Sequence, residues 1–201
     1  MRSTGSSSPT RPPRSRPGSA PAEPAATTVS SSGRAHGERR TMNSPLLMTS
    51  ASDDADATVT DAEVAALVSM ARDRRARSVV VGSGRTPGAL ATARLIAAAW
   101  ERAGGDVLDT IAWPETGASW LRFATRFAAA GPDLWVMTGP ATGWAQMTRR
   151  LLWSTAWRPA RTLATAVVGD PRTLALVGPA RLYGLAGASA DGTTWHVAEE
   201  R

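Results

Sequence analysis

Between residues 78 and 189, apolar runs and amphipathic stretches alternate four times, the rhythm of strands feeding helices in a parallel sheet. Ahead of that region Thr60-Asp61-Ala62-Glu63 reads as a capping box. The Thr60 hydroxyl can take the Glu63 amide while the Glu63 side chain reaches back, and the helix that follows puts Val64, Leu67, Val68 and Ala71 on one face. Arg72, Arg74, Arg75 and Arg77 gather at its end, where cations complement the helix dipole, so they need no ligand to explain them. The β-branched run 78–82, closed by glycine, predicts a strand buried on both faces. Residues 83–88 form its loop, and a helix over 89–103 carries the stripe Leu90, Ala93, Ile96, Ala97 and Trp100.

A second strand is predicted over 107–113, stopped by Pro114; Ser119 then offers an N-cap to a helix that turns Trp120, Phe123, Ala124 and Phe127 inward and Arg122 and Arg126 outward. Strand three covers 134–137, and a helix over 143–157 buries Trp144, Met147, Leu151 and Leu152 before Arg158-Pro159 ends it. Strand four is predicted over 162–168, a short helix opens at Asp170-Pro171, and strand five spans 182–186. Right-handed crossovers turn this order into an α/β three-layer αβα sandwich on a parallel sheet.

Composition divides the chain. Its first 58 residues are mostly Ser, Pro, Ala, Gly, Thr and Arg without apolar periodicity, which predicts a disordered tail; the domain is expected over 59–190, with a C-terminal tail over 191–201. The net charge of +6 sits largely in that first tail, where residues 1–40 hold seven Arg against Glu23 and Glu38, leaving +1 for the rest. A basic arm on a nearly neutral domain makes salt-sensitive phosphate contacts at most, so no specific nucleic-acid partner is expected. Without cysteine there is neither a disulfide framework nor a thiol site. No run approaches the ~18 apolar residues of a membrane span. Arg39-Arg40 precedes an apolar stretch, 45–48, shorter than the ~7 residues an export signal needs, so the chain as encoded is expected to stay in the cytoplasm, with Met42 as an alternative start.

Catalysis finds little to build on. The two histidines, His36 and His196, stand in no nucleophile-base-acid order or metal spacing, so neither enzyme activity nor a cofactor is expected. Gly82-x-Gly84 follows a strand and precedes a helix, but Pro87 occupies the third position of the dinucleotide fingerprint, which leaves a glycine-eased turn as the better reading. Ligands in such sheets sit beyond the carboxyl ends of the strands, which nominates the loops 83–88, 114–118, 138–142 and 165–170. In them Ser83, Arg85 and Thr86 can bind a carboxylate through hydroxyls, amides and a planar guanidinium, and Thr138, Thr142 and Thr165 add hydroxyls. Asp170 reads as a helix cap. Of the eight tryptophans, Trp153 and Trp157 are spaced i, i+4 beside Arg150 on a face expected to point outward, a pattern that suggests an interface with a partner chain or a second copy.

Two stretches, 128–140 (AAAGPDLWVMTGP) and 169–178 (GDPRTLALVG), resemble the type I periplasmic binding proteins, the leucine-binding-like substrate-binding proteins of ABC transporters. The resemblance runs from about Asp61 to Ser189 and covers the second of that family's two lobes. It implies a flavodoxin/Rossmann-like lobe that binds a small polar solute, such as an amino acid, against a first lobe. The family's cleft-lining Tyr-Gly pair matches Pro87-Gly88 here, so the stacking ring is absent, and its ligand contact falls near Thr165 and Ala166. The family is normally exported. The expected function is solute binding, by a lobe or remnant of such a receptor; the alternative is a cytoplasmic protein-interaction module that keeps the fold without a ligand.

Overall fold

The computed structural model describes residues 58–199 apart from Ala118. The chain divides into two units, Met1–Thr41 and Met42–Arg201, and every described residue lies in the second. All but the last residue of the tail expected over 1–58 thus lies outside the described residues.

Helix α1 (Asp61–Asp73) begins at the capping box: the Glu63 amide donates to Thr60 Oγ1 at 3.1 Å. Strand β1 (Ser78–Gly84), helix α2 (Pro87–Arg102) and strand β2 (Asp106–Trp113) follow, then α3 (Leu121–Ala129), β3 (Leu134–Met137) and α4 (Ala141–Ser154). After β4 (Thr162–Ala164) come two short helices, α5 (Ala166–Gly169) and α6 (Pro171–Ala175), and two closing strands, β5 (Ala186–Ala188) and β6 (Thr194–His196). The six strands form one sheet in the order β2-β1-β3-β4-β5-β6, parallel except for antiparallel β6.

Side chains alternate across each strand, so each sheet face has its own core. Val79, Val81, Leu134, Val136 and Leu163 meet Leu67 and Ala71 of α1 and Ala93, Ile96 and Trp100 of α2. Val80, Trp135, Met137 and Ala164 point the other way, into Phe127 of α3 and Trp144, Met147 and Leu151 of α4. Covering both faces explains why β1 and β3 read as unbroken apolar runs. At the edge, β2 carries a bulge: Val79 pairs with Val107 and Val80 with Asp109, which leaves Leu108 over and exposed. Asp109 grips Arg126 through two bonds of 2.8 Å, placing a charged pair on an edge strand. At the opposite end of the sheet from the loops of interest, Asp133 ties β1 to β3 by accepting from the amides of Arg77 and Ser78 at 2.8 and 3.0 Å.

The three-layer α/β architecture is the one the hydrophobic pattern predicts, with differences at five places. Strand four ends at Ala164 instead of 168, because Glu63 Oε1 accepts the Ala166 amide at 2.6 Å and the chain turns there into α5. Helix α4 starts at Ala141 and stops at Ser154, short of Trp157. Strand five forms at Ala186–Ala188, since Leu182 closes a 3-10 turn (Pro179–Leu182). Residues expected as a C-terminal tail instead supply β6, whose Trp195 pairs with Gly187 and lays its ring against Gly169 and Gly187. At α3 the cap residue is Trp120, while Ser119 Oγ accepts from the Leu121 amide at 3.3 Å.

Candidate functional site

From β1 the chain crosses by α2 to β2 on one side, then returns by α3 to β3 on the other, so the strand order reverses between β1 and β3. At such a reversal the loops beyond the strand ends part and leave a crevice. Its walls here are the turn after β1, residues 84–86, and the turn after β3, residues 138–141. The two backbones touch: a Cβ on Gly139, which has φ +122°, would lie 2.6 Å from the Gly84 nitrogen.

The rim is cationic and aromatic. Arg85 is exposed and holds its guanidinium 5.3 Å from the centre of the Phe123 ring, and Arg122 approaches the same ring to 4.5 Å. Thr86 caps α2, its hydroxyl accepting from the Ala89 amide at 3.3 Å with Pro87 at the first helical position. Thr142 is half-buried in the first turn of α4.

The floor is a carboxylate. Glu115, two residues past β2, reaches over the end of β1 and accepts the Arg85 amide on Oε1 at 2.8 Å. A Cβ on Gly84 would overlap Oε1, and one on Gly143 would overlap Oε2, so glycine at both positions is what lets the carboxylate lie between the two backbones. Pro140 is the N-cap of α4 and makes no side-chain cap bond. The Glu115 carboxylate therefore stands beside a helix N-terminus without a cap of its own, where negative charge is favoured.

Ser83, Thr138 and Thr165 lie inside, 0, 4 and 2 % exposed. Gly82 pairs with Met137 and Met137 with Ala164, so these three residues are next across the ends of β1, β3 and β4. Thr165 Oγ1 donates to Thr138 Oγ1 at 3.0 Å, and Ser83 Oγ makes no hydrogen bond. The threonine pair ties the ends of β3 and β4 together, Ser83 packs beside them, and none of the three is on the rim with Arg85. Glu63 belongs to the same end of the sheet. Burial pushes its carboxyl above the usual range, against the pull of hydrogen bonds from the Ala166 and Thr60 amides.

The expected tryptophan pair is split. Trp153 is 84 % exposed, but Trp157 is 4 % exposed and packed in the core. The i, i+4 argument fails because Trp157 lies beyond the helix: Thr155 Oγ1 donates to the Leu151 carbonyl at 2.8 Å and accepts the Trp157 amide at 3.2 Å, turning the chain inward. Arg150, half-buried, reaches Ser154 Oγ at 3.4 Å. Trp195 packs on glycines of β5 and α5 and is not a cover for Trp153. Asp170 caps α6, accepting from the Arg172 amide at 2.7 Å. Among the described residues no group of three His, Cys, Asp or Glu is placed to hold a metal ion, and no helix is long and apolar enough to cross a membrane.

Sequence reasoning named the loop 114–118 but singled out neither Glu115 nor the pairing of Arg122 with Phe123. A single acid after a strand-ending proline has no spacing signature, and the amphipathic pattern of α3 says only that Arg122 points outward.

No protein-family model and no curated protein matches the sequence. Solved structures share the fold. They include a leucine binding protein from Thermotoga maritima (17 % identity, TM-score 0.53, 62 % of this chain and 35 % of that one). Another is a solute binding protein of an ABC transporter from Rhodopseudomonas palustris in complex with 3,4-dihydroxybenzoic acid (17 %, 0.51, 64 % and 35 %). A third is an extracellular ligand-binding receptor from Verminephrobacter eiseniae (17 %, 0.54, 62 % and 35 %). The chain thus spans about a third of the length of these proteins, and the fold resemblance expected from 128–140 and 169–178 is the one the structures return.

Proposed function

We propose that the chain is a solute-binding lobe that holds a small polar molecule bearing a carboxylate, an amino acid or a related acid, at the crevice between the β1 and β3 loops. The observation that carries this reading is the rim: two guanidinium groups, Arg85 and Arg122, flank one aromatic ring at the switch point of the sheet. A guanidinium fork reads a carboxylate, and the ring offers an apolar face to the rest of the solute. The fold is shared with proteins whose names and ligands are those of solute receptors. Thr86 and Thr142 supply hydroxyls at the two helix starts, while the hydrogen bond between Thr138 and Thr165 holds the ends of β3 and β4 together beneath.

One lobe is one wall. A solute on it stays largely wet and forgoes most of the burial that gives clefts their affinity, so tight binding calls for a second wall, from a first lobe or a second copy. Delivery to an ABC transporter belongs to the same reading. The test is a thermal-unfolding screen of the full chain against amino acids, small carboxylates, sugars and nucleotides. A ligand at ~100 times its Kd adds about 2.7 kcal/mol of stability. A shift confined to carboxylate solutes and lost in Arg85→Ala supports the proposal; no shift across the panel refutes it.

A second reading rests on Trp153, whose ring is nearly all exposed on α4 with Arg149 and Arg150 on the same helix. In that reading the chain is an interaction module. Concentration-dependent self-association without any solute response favours it.

A further inference from the structure

We infer that the floor of the crevice is an anion pocket whose resident anion is the chain's own Glu115, and that removing this side chain opens the pocket to a small free carboxylate. The inference deepens the solute-site reading, since it concerns the same crevice. It rests on how the Glu115 carboxylate is housed. Oε1 takes the Arg85 amide at 2.8 Å, and the two oxygens lie against Gly84 and Gly143 closely enough that a methyl group at either position would collide with them. Gly143 is the third residue of α4, a fourteen-residue helix whose cap, Pro140, makes no side-chain bond. An anion from another loop thus lies against the first turn of a helix whose N-cap residue, unlike those of α1 and α2, makes no side-chain bond.

A residue needed only to fill this space would be apolar, because enclosing a carboxylate costs free energy unless its surroundings are arranged for negative charge. Glycine on both walls makes the space fit one carboxylate group and little more. While Glu115 is in place, the acid group of an incoming solute is kept out of the floor and left to the Arg85 and Arg122 rim. Glu115 is in this sense a specificity residue: it holds the deep position, and like-charge repulsion turns a second anion away from it.

The experiment is chemical rescue on the full chain. Wild type, Glu115→Ala, Glu115→Gln and the double variant Glu115→Ala/Gly143→Ala are unfolded thermally in sodium formate, up to about 100 mM, against sodium chloride at equal ionic strength, where a specific ligand raises stability as RT ln(1 + [L]/Kd). Glu115→Ala melts lower than wild type in chloride and recovers in formate in a saturable manner, by about 3 °C or more. Wild type and Glu115→Gln, whose pockets are filled, show no formate-specific rise. The double variant does not respond either, since the alanine methyl takes the place of the lost Oε2. A Glu115→Ala protein indifferent to formate, an equal rise in wild type, or an undiminished rise in the double variant overturns the inference. Should Glu115→Ala fail to fold in chloride, the same comparison is read as refolding yield from urea, and a yield independent of formate overturns it. Formate rescue is read on the vacated floor and the solute screen on the wild-type rim, so either can fail while the other holds.

Discussion

Gly82→Ala separates a packing role for the Gly82-x-Gly84 pair from a phosphate-loop role. A Cβ at position 82 would lie 2.6 Å from Phe127 Cε2, 2.6 Å from Trp113 Cζ3 and 3.0 Å from Trp113 Cη2. Carbon atoms rest about 3.5–4.0 Å apart, so both rings must retreat by about an ångström. Neither has room. Both are fully buried, Trp113 is anchored in β2 and Phe127 in α3, and the rings already meet edge to face with centroids 6.2 Å apart. Overpacking costs about 1–3 kcal/mol, and two confined rings put this case near the top of that range. Alanine returns about 0.4–1 kcal/mol by stiffening the unfolded chain, which leaves a net loss of about 2 kcal/mol. For a domain of this size that is a fall in Tm of about 6–10 °C. Thermal unfolding followed by circular dichroism reads it directly. The companion variant is Phe127→Leu, which removes the ring atom in the way. The double variant should be more stable than the sum of the singles predicts, with a coupling of about 1 kcal/mol or more. A Tm within about 2 °C of wild type, or strict additivity with Phe127→Leu, would refute the packing account. A phosphate-loop glycine would instead leave the ligand-free protein's stability untouched, its effect appearing only with nucleotide.

The split tryptophans give a second contrast: Trp157→Ala should cost about 3–5 kcal/mol as a core truncation, whereas Trp153→Ser should stay within about 0.5 kcal/mol in urea melts and abolish any self-association seen by sedimentation. Equal costs at the two positions would contradict the inward turn after Thr155. Glu63 gives a pH signature. Its folded pKa is raised above the ordinary 4.5, so the folded state binds the proton more readily, and the cost of burying the charge is relieved as pH falls through the raised value towards 4.5. Wild type should therefore gain stability relative to Glu63→Gln on acidification from about pH 7 to about pH 5 in urea titrations, and a flat or opposite difference would rule out burial as the dominant influence on Glu63.

The order of elements was readable because both faces of the sheet are covered. β1 and β3 appear as unbroken apolar runs, and their flanking helices as stripes, so local pattern and tertiary environment agree. Agreement fails where a distant partner decides. Val167 and Val168 favour a strand by their branching, but Glu63, 103 positions away along the chain, takes the Ala166 amide and the backbone turns into α5. Trp157 continues the helical spacing of Trp153, but one hydroxyl at Thr155 diverts it into the core.

The same division runs through the site. Arg85 and Thr86 were visible because their position after a strand and before a helix carries the chemistry, whatever lies opposite. Glu115 was not, because what makes it part of the site is the lack of side chains at Gly84, the last residue of β1, and at Gly143, in the first turn of α4. In a sequence, a glycine needed for its backbone angles and a glycine needed to make room for a neighbour are the same letter. Gly139, with its positive φ, is of the first kind; Gly84 and Gly143 are of the second, and their meaning appears only when the carboxylate that fills the space is placed between them. A turn reading of Gly82-x-Gly84 therefore identifies the glycines but not their work: Gly82 receives two aromatic rings, and Gly84 receives the anion on which the character of the crevice depends.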